Sequence, residues 1–302
     1  MSSNDLPMNA ANSATATFAP TDPLYALQWH FPMIGTLGYS ATYNTEGIER
    51  IWSEYTGAGV HVGVWDDGVQ RTHWDLADNY DDSLQVSVGG TVNDGQPPAG
   101  SGDKYAHGTS VAGLIAAQAN GLGGVGVAFD AAITAIRIFG GADDVNEHTD
   151  RFLQTLDSLG QFDVTNHSYG SDPDFIDYGD AAKHQVAAEL GRNGLGTINI
   201  TAAGNTNWDG NGEYSKETRF TVSVAALEDT PTGNPTFYST YGAHILVSAP
   251  AALVTTDMLG MTDGYNGLLD GDYTNDFGGT SAAAPVTTGV VTLMLDANAG
   301  LG

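Results

Sequence analysis

Gly278-Gly279-Thr280-Ser281-Ala282-Ala283-Ala284-Pro285 is the stretch whose reading decides the fold. A glycine pair and a hydroxyl residue come first, then small residues and a run that predicts a helix to about Asn298. The pattern puts the Ser281 hydroxyl at a helix start. There the backbone N–H groups lack intrahelical partners and the dipole favours negative charge. A hydroxyl so placed can attack a carbonyl and have the resulting oxyanion stabilised where it forms. Taken alone, the same letters also read as a small-residue turn before a buried helix.

Composition narrows the classes. A chain of 302 residues suits one large α/β domain or two small ones. A hydrophobic fraction of 41% supports a substantial core, and 40 glycines predict many tight turns. With no cysteine, neither disulfides nor thiolate metal sites contribute to stability. Asp and Glu number 36 against 9 Lys and Arg, a net charge of −27. Such a surface repels nucleic acid and anionic membranes and attracts cationic peptides and divalent cations. No apolar run approaches the roughly 18 residues that span a bilayer. Residues 1–21 are rich in Ser, Asn, Ala and Thr, lack the basic-then-apolar layout of a secretory signal, and read as a mobile arm.

Beyond the arm, strands alternate with helices. Gly47 to Tyr55 predicts a short amphipathic helix, and Val60 to Trp65 an apolar strand ending in Asp66-Asp67-Gly68. Asp75 to Gly102 carries the Gly/Pro/Asp/Asn clusters of loops. Helices are expected over His107 to Ala119, Glu147 to Leu159 and Tyr178 to Arg192. Strands are expected over Ala132 to Phe139, Phe162 to His167, Thr197 to Ala203, Phe220 to Ala226 and His244 to Ser248. The alternation predicts an α/β fold, a doubly wound and mainly parallel β-sheet with helices on both faces. Sites in such sheets form at the carboxyl ends of strands. Asp66 and Asn205 fall at such ends, and His107 opens a helix after a loop.

Each of these residues has an ordinary reading taken singly: a turn Asp before Gly, a capping His, a turn Asn. Each also has a chemical one. Asp66 can orient an imidazole. His107, in Ala106-His107-Gly108-Thr109-Ser110, keeps an accessible ring. Asn205, ending Thr201-Ala202-Ala203-Gly204-Asn205, can donate its amide to a developing oxyanion.

The chain order Asp66, His107, Asn205, Ser281, each in its own local motif, resembles the subtilisin-like serine proteases. The resemblance runs from about Asp22 to the C-terminus, and implies a subtilisin-like catalytic domain over 22–302. It implies a serine endopeptidase acting on polypeptides. Ser281 would be the nucleophile, His107 the general base and acid, and Asp66 the residue that fixes the His107 tautomer. The Ser281 N–H and the Asn205 amide would form the oxyanion hole. Ser168-Tyr169-Gly170 matches the edge segment on which such proteases lay the substrate backbone.

Within that clan, Asp66-Asp67-Gly68, Thr72-His73-Trp74-Asp75-Leu76, Thr21-Asp22-Pro23 and Gln28-Trp29 are similar to the kexin/furin-like proprotein convertase branch. There the second Asp faces a basic residue two before the cut; Asp67 reads as that or as a structural turn carboxylate. Asp209-Gly210 matches an Asp-Gly that lines the pocket for the residue before the cut, which implies a preference for Lys or Arg. Thr240 stands where convertases place a calcium-binding Glu, and Asn211 to Thr218 looks inserted. The resemblance further implies a Ca²⁺ site. Asp22, Asp75 and Asn120 would supply side-chain oxygens, and Gln118, Leu122 and Gly124 backbone carbonyls.

Relatives carry a signal, a propeptide and further C-terminal segments that this sequence lacks. The expectation is therefore a piece of a larger, extracellular or secreted protein with further domains beyond residue 302. Two other readings stand beside the protease. One is a catalytically silent peptide-binding module on the same fold. The other, a nucleotide-binding doubly wound domain, ranks behind because Gly121-Leu122-Gly123-Gly124 does not directly follow a strand.

Overall fold

A computed structural model of the chain describes residues 17–33, 46–88, 91–98, 102–139, 150–170, 178–212, 218–229, 233–260, 264–265 and 267–302. Most of the expected arm, the first residues of the helix expected from Glu147, and most of the expected insertion after Asn211 lie outside the described residues.

In chain order the elements are α1 (Glu46–Trp52), β1 (His61–Asp66), β2 (Ser87–Val88), β3 (Thr91–Val92), α2 (His107–Ala116), β4 (Ala132–Arg137), α3 (Asp150–Leu156) and β5 (Val164–His167). They continue with α4 (Asp180–Gly194), β6 (Ile198–Ala202), β7 (Thr221–Leu227), β8 (Ile245–Pro250), β9 (Leu253–Thr256), β10 (Tyr273–Phe277) and α5 (Thr280–Ala297). Six strands pair in parallel in the order β4-β1-β5-β6-β7-β8. The chain leaves β1 toward β4 on one side and returns to β5 on the other. This reversal opens a crevice at the carboxyl ends of β1 and β5, where parallel sheets place their sites.

Strand periodicity decides which face each residue serves. Val62 and Val64 of β1 join Val111, Leu114 and Ile115 of α2 and Val286 and Leu293 of α5 in one core. Trp65 points the other way and packs with Ile136, Phe152, Leu156, Phe162 and Ala187. Asp66 follows on the α2 side, so the strand itself aims its carboxylate at the start of α2. Helix α2 is buried at nearly every position because its small residues let it run against both the sheet and β9. There Ser110 Oγ donates to the Thr256 carbonyl (2.8 Å), while Thr255 Oγ1 and Thr256 Oγ1 donate to the carbonyls of Ser110 and Thr109 (both 2.7 Å).

The antiparallel pair β9–β10 and the short β2–β3 hairpin are additions to the expected elements. Thr, Asn and Asp fill β10, so it carries no apolar run to mark it. The helix expected to Arg192 is interrupted at Gly191, Arg192 and Asn193, which hold non-helical angles. Arg192 there turns its guanidinium to Asp163 Oδ1 (3.1 Å) and to the carbonyls of Leu301 and Ala299 (both 2.7 Å), fastening the end of α5 to the sheet.

Candidate active site

Asp66 ends β1 with its side chain 3% exposed. Its two oxygens lie 2.9 and 3.0 Å from His107 Nδ1, and Oδ1 also accepts the Asp67 N–H at 2.8 Å. A carboxylate gripping Nδ1 leaves Nε2 as the working nitrogen of the imidazole. The ring is 30% exposed and stands edge-on to Phe277, centroids 5.1 Å apart, so one wall of the site comes from β10. Burial alone would lower the His107 pKa. The Asp66 carboxylate, by charge and hydrogen bond, and then Asp67 outweigh it, and the ring stands at about 9.

Asp67, for which a substrate-facing and a structural role were both expected, has its hydrogen bonds on the structural side. The residue is 5% exposed and turned inward. Its Oδ2 accepts the His107 N–H at 3.1 Å and its Oδ1 the Gly108 N–H at 2.7 Å. It therefore caps α2, whose first N–H groups have no helical partner and attract negative charge. Gly108 is required for this approach: a Cβ there would meet the Gly68 carbonyl at 2.3 Å and the Asp66 Cβ at 2.9 Å. Burial, and next the Asp66 charge, push the Asp67 pKa up.

Ser281 is in the first turn of α5, as expected. Its hydroxyl donates to the Ser168 carbonyl at 3.1 Å, and the Ser168 hydroxyl donates back to the Ser281 carbonyl at 3.1 Å. The helix start is thus clasped to the end of β5 and to the Ser168-Tyr169-Gly170 segment, whose Gly170 is exposed.

Asn205 is exposed just beyond β6. Thr280, a residue that sequence reading passed over, fixes its orientation. The Thr280 N–H (2.9 Å) and Oγ1 (3.2 Å) both donate to Asn205 Oδ1, and Thr280 Oγ1 accepts the Gly204 N–H at 3.0 Å. With its carbonyl end held this way, Asn205 presents its amide N–H₂ as a donor beside the first turn of α5. Gly279, at φ 75°, lets the two segments cross; a Cβ there would come 3.0 Å from Asn205 Nδ2. The only sign of Thr280 in the sequence was its place between Gly279 and Ser281.

Asp209 lies exposed on the loop that follows Asn205, with Oδ1 accepting the Asn211 N–H at 3.1 Å and its backbone bridged to Tyr241. Its contacts do not include Asp66, His107 or Ser281. Thr240, in the position noted for its missing Glu, donates its N–H to the Gly204 carbonyl (2.9 Å) and pairs hydroxyls with Thr206 (3.2 Å), supporting the Asn205 loop.

The residues expected to bind Ca²⁺ come together around the loop after α2. Asp22 Oδ1 accepts the N–H groups of Asn120 and Gly121 at 3.2 and 3.1 Å. Asp75 Oδ1 accepts Asn120 Nδ2 at 3.2 Å, and Oδ2 accepts the Tyr273 hydroxyl at 2.9 Å. Asp75 is fully buried, and burial first, with the Asp22 charge among the lesser causes, pushes its pKa up to about 7. Asp22 is also raised by burial, and its Oδ2 is buried with no partner. The Leu24 N–H goes to the Gly123 carbonyl, and no hydrogen bond among the described residues ends on the carbonyls of Gln118, Leu122 or Gly124. Two buried carboxylates without a lysine or arginine partner among the described residues, surrounded by neutral oxygens, fit a hard divalent cation. No group of three His, Cys, Asp or Glu is placed to hold a metal among the described residues, so the set depends on those neutral oxygens. The Asn120 amide would have to turn, because its nitrogen now faces Asp75.

Known proteins resemble this chain in sequence and fold. Residues 57–302 match the Peptidase_S8 model, described as the subtilase family. The sequence is 31% identical to neuroendocrine convertase 2 of Caenorhabditis elegans over 95% of this chain and 44% of that protein. It is 31% identical to furin of Homo sapiens over 93% of this chain and 35% of that one. The chain thus spans less than half the length of these curated relatives. The crystal structure of the Aeromonas sobria serine protease in complex with its chaperone superposes at a TM-score of 0.77 and 26% identity, covering 95% of this chain and 56% of that one. A Pseudoalteromonas arctica protease superposes at 0.69 and 26% identity, covering 93% and 88%. The matched segment carries all four residues singled out at the strand and helix ends, and the chain belongs to the subtilase family.

Proposed function

We propose that the chain is a serine endopeptidase working through Asp66, His107 and Ser281 and an acyl-enzyme. The observation that carries the reading is the Asp66–His107 pair at 2.9 and 3.0 Å. It stands at the same sheet end as a serine in a helix's first turn and an asparagine whose carbonyl is already engaged by Thr280.

In the proposed reaction Ser281 Oγ leaves the Ser168 carbonyl and attacks the scissile carbonyl carbon. Its proton passes to His107 Nε2. The oxyanion is held by the Asn205 amide and the Ser281 N–H. The C–N bond breaks as His107 returns the proton to the departing amine, and water then releases the acyl group by the reverse transfers. Asp66 keeps Nδ1 protonated and stabilises the imidazolium. A resting hydroxyl turned to Ser168 agrees with a triad that tightens only when substrate arrives.

An extended substrate would lie along Ser168-Tyr169-Gly170. The sequence similarity to furin and neuroendocrine convertase 2, with the exposed Asp209 carboxylate and the −27 charge, supports a preference for basic residues before the cut. A Ca²⁺ ion on Asp22, Asp75, Asn120 and the carbonyls of Gln118, Leu122 and Gly124 would neutralise two buried carboxylates and tie residues near Asp22 to the core. We place the protein outside the cell, with further domains in the full-length protein; no helix among the described residues is long and apolar enough to cross a membrane.

Labelling with a serine-directed fluorophosphonate tests the reading. Wild type should label and Ser281→Ala should not. A folded wild type that fails to label, yet binds peptides, would instead be a silent peptide-binding module.

A further inference from the structure

Strand β5 carries polar side chains on both faces, an odd composition for the middle of a parallel sheet. On the α5 face, Thr288 Oγ1 donates to Asn166 Oδ1 (2.9 Å), Asn166 Nδ2 to Ser168 Oγ (2.9 Å), and Ser168 Oγ to the Ser281 carbonyl. That row belongs to the site already described.

The opposite face carries a second row, Thr165, His167 and Tyr169, to which the reaction assigns nothing. Its hydrogen bonds have a fixed direction. Asn199 Nδ2 donates to the Phe220 carbonyl at 3.1 Å, so Asn199 Oδ1 is the acceptor for the Thr165 hydroxyl at 2.9 Å. With its proton directed there, Thr165 Oγ1 must accept from His167 Nε2 at 3.0 Å. A neutral imidazole protonated at Nε2 has only a lone pair at Nδ1. Nδ1 therefore accepts the Tyr169 hydroxyl at 2.7 Å. The ring is stacked on Trp65 (centroids 5.2 Å) and met edge-on by His184 (5.1 Å). Burial and then His184 hold its pKa well below the ordinary value. The titratable rings facing His167 are His184, which turns Nδ1 to the Asp180 carbonyl, and Tyr169, whose hydroxyl donates to it.

Tyr169 is the far end of this row and the middle of the segment along which substrate would lie. Its ring is half-buried, edge-on to Phe139 (5.6 Å) and Phe152 (5.9 Å). The apolar contacts set where the ring sits. The His167 bond ties the hydroxyl end of the ring to the sheet.

We infer that His167 is a positioning residue. Through the directed row Asn199–Thr165–His167–Tyr169 it anchors the substrate-pairing segment to the sheet interior. The inference rests on the proposed peptidase reading and extends it to substrate binding. His167 touches neither substrate nor the reacting atoms.

The test compares two substrates, an extended peptide with at least four residues before the cut and a single-residue ester that does not reach the segment. Tyr169→Phe deletes only the hydroxyl and leaves the ring contacts. It should raise KM for the extended peptide about three- to ten-fold, the scale of one buried hydrogen bond. The loss should be selective: the rise in KM for the extended peptide should exceed any loss on the ester by at least about three-fold. His167→Ala should have the same selective effect, and His167→Gln, which can accept and donate, should restore part of it. Unchanged KM for the extended peptide in both Tyr169→Phe and His167→Ala would overturn the inference. So would an equal loss on both substrates, which marks a merely structural residue. If His167→Ala does not fold, Tyr169→Phe decides alone. Fluorophosphonate labelling of the wild type separates the two levels. Labelling without the KM effect sinks this inference only, whereas no labelling sinks the peptidase reading and takes the inference with it.

Discussion

Replacing Asp67 by Asn separates two roles that one carboxylate can play. In the structure its oxygens accept the N–H groups of His107 and Gly108 at 3.1 and 2.7 Å, at the start of the helix that carries the His107 ring. Asn offers a single acceptor and turns an N–H₂ group against the other donor. A buried hydrogen bond to a charged group contributes about 1.5–3 kcal/mol, so the cap should weaken by about that much, less the relief of the Asp66–Asp67 repulsion. The charge acts on the ring as well. Asp67 is one of the two carboxylates that hold the His107 pKa at about 9, and removing it lowers that value. The assay is kcat/KM against pH on paired peptides with and without a basic residue two before the cut, alongside thermal unfolding. Asp67→Asn should move the acid limb to lower pH and cut kcat about ten-fold on both peptides alike, consistent with a looser His107. Because the folded pKa of Asp67 is raised, its ionisation destabilises the fold as pH rises above the ordinary carboxylate range; the variant should lose that pH dependence. A rise in KM confined to the basic peptide, with the pH profile unmoved, would refute the capping argument and return Asp67 to the substrate pocket.

Other outcomes follow from the same geometry. Asn205→Ala should lower kcat about a hundred- to a thousand-fold with little change in KM, since the amide donor acts on the transition state; a KM effect alone would remove Asn205 from the oxyanion hole. Wild-type kcat/KM should still be climbing between pH 7 and 9, because His107 must lose a proton held to about 9; a plateau already complete at pH 7 would contradict that pairing. The Asp66–His107 pair adds stability below the ordinary histidine pKa that is lost as pH rises through about 9, a trend visible in unfolding midpoints. Chelation should lower the midpoint more at pH 8 than at pH 5, because the ion-free chain must then bury an ionised Asp75 whose pKa is about 7; an equal effect at both pH values would argue against an ion there.

Much of the fold was legible because its strands are apolar runs and its sheet is buried on both faces. Val62, Val64 and Trp65 mark β1 and also, by alternation, direct Asp66 toward α2. The β9–β10 pair escaped notice because Tyr273-Thr274-Asn275-Asp276-Phe277 has no apolar run. Its place is set by distant partners, Tyr273 on Asp75 and Phe277 against His107. The break in α4 was equally hidden: Gly191 opens it, but what holds it is the reach of Arg192 to Asp163 and to the end of the chain, contacts made only in three dimensions. The sites followed the same division. The places of Asp66, His107, Asn205 and Ser281 could be read because each stands at or next to a strand or helix end, where local sequence fixes direction. The contacts of Thr280 and His167 could not, because they depend on which distant partner accepts and which donates.

The adjacent carboxylates show most clearly where local sequence stops deciding. Asp66 and Asp67 share a strand end, are both buried, and differ by one position. That one position reverses the side of the pleat, yet both reach residue 107. Asp66 takes the imidazole N–H and Asp67 the main-chain N–H. The first bond orients a ring that must move a proton; the second fixes the backbone from which that ring hangs. The Asp66 charge raises the cost of charging Asp67, and the His107 cation offsets part of that cost. Losing the His107 proton at the end of its titration therefore does more than free a base. It removes the cation that lowers the Asp67 pKa, so Asp67 should hold a proton more tightly as that of His107 departs. The acid limb of the activity profile then reports His107 and Asp67 together, and it should be broader than a single titration.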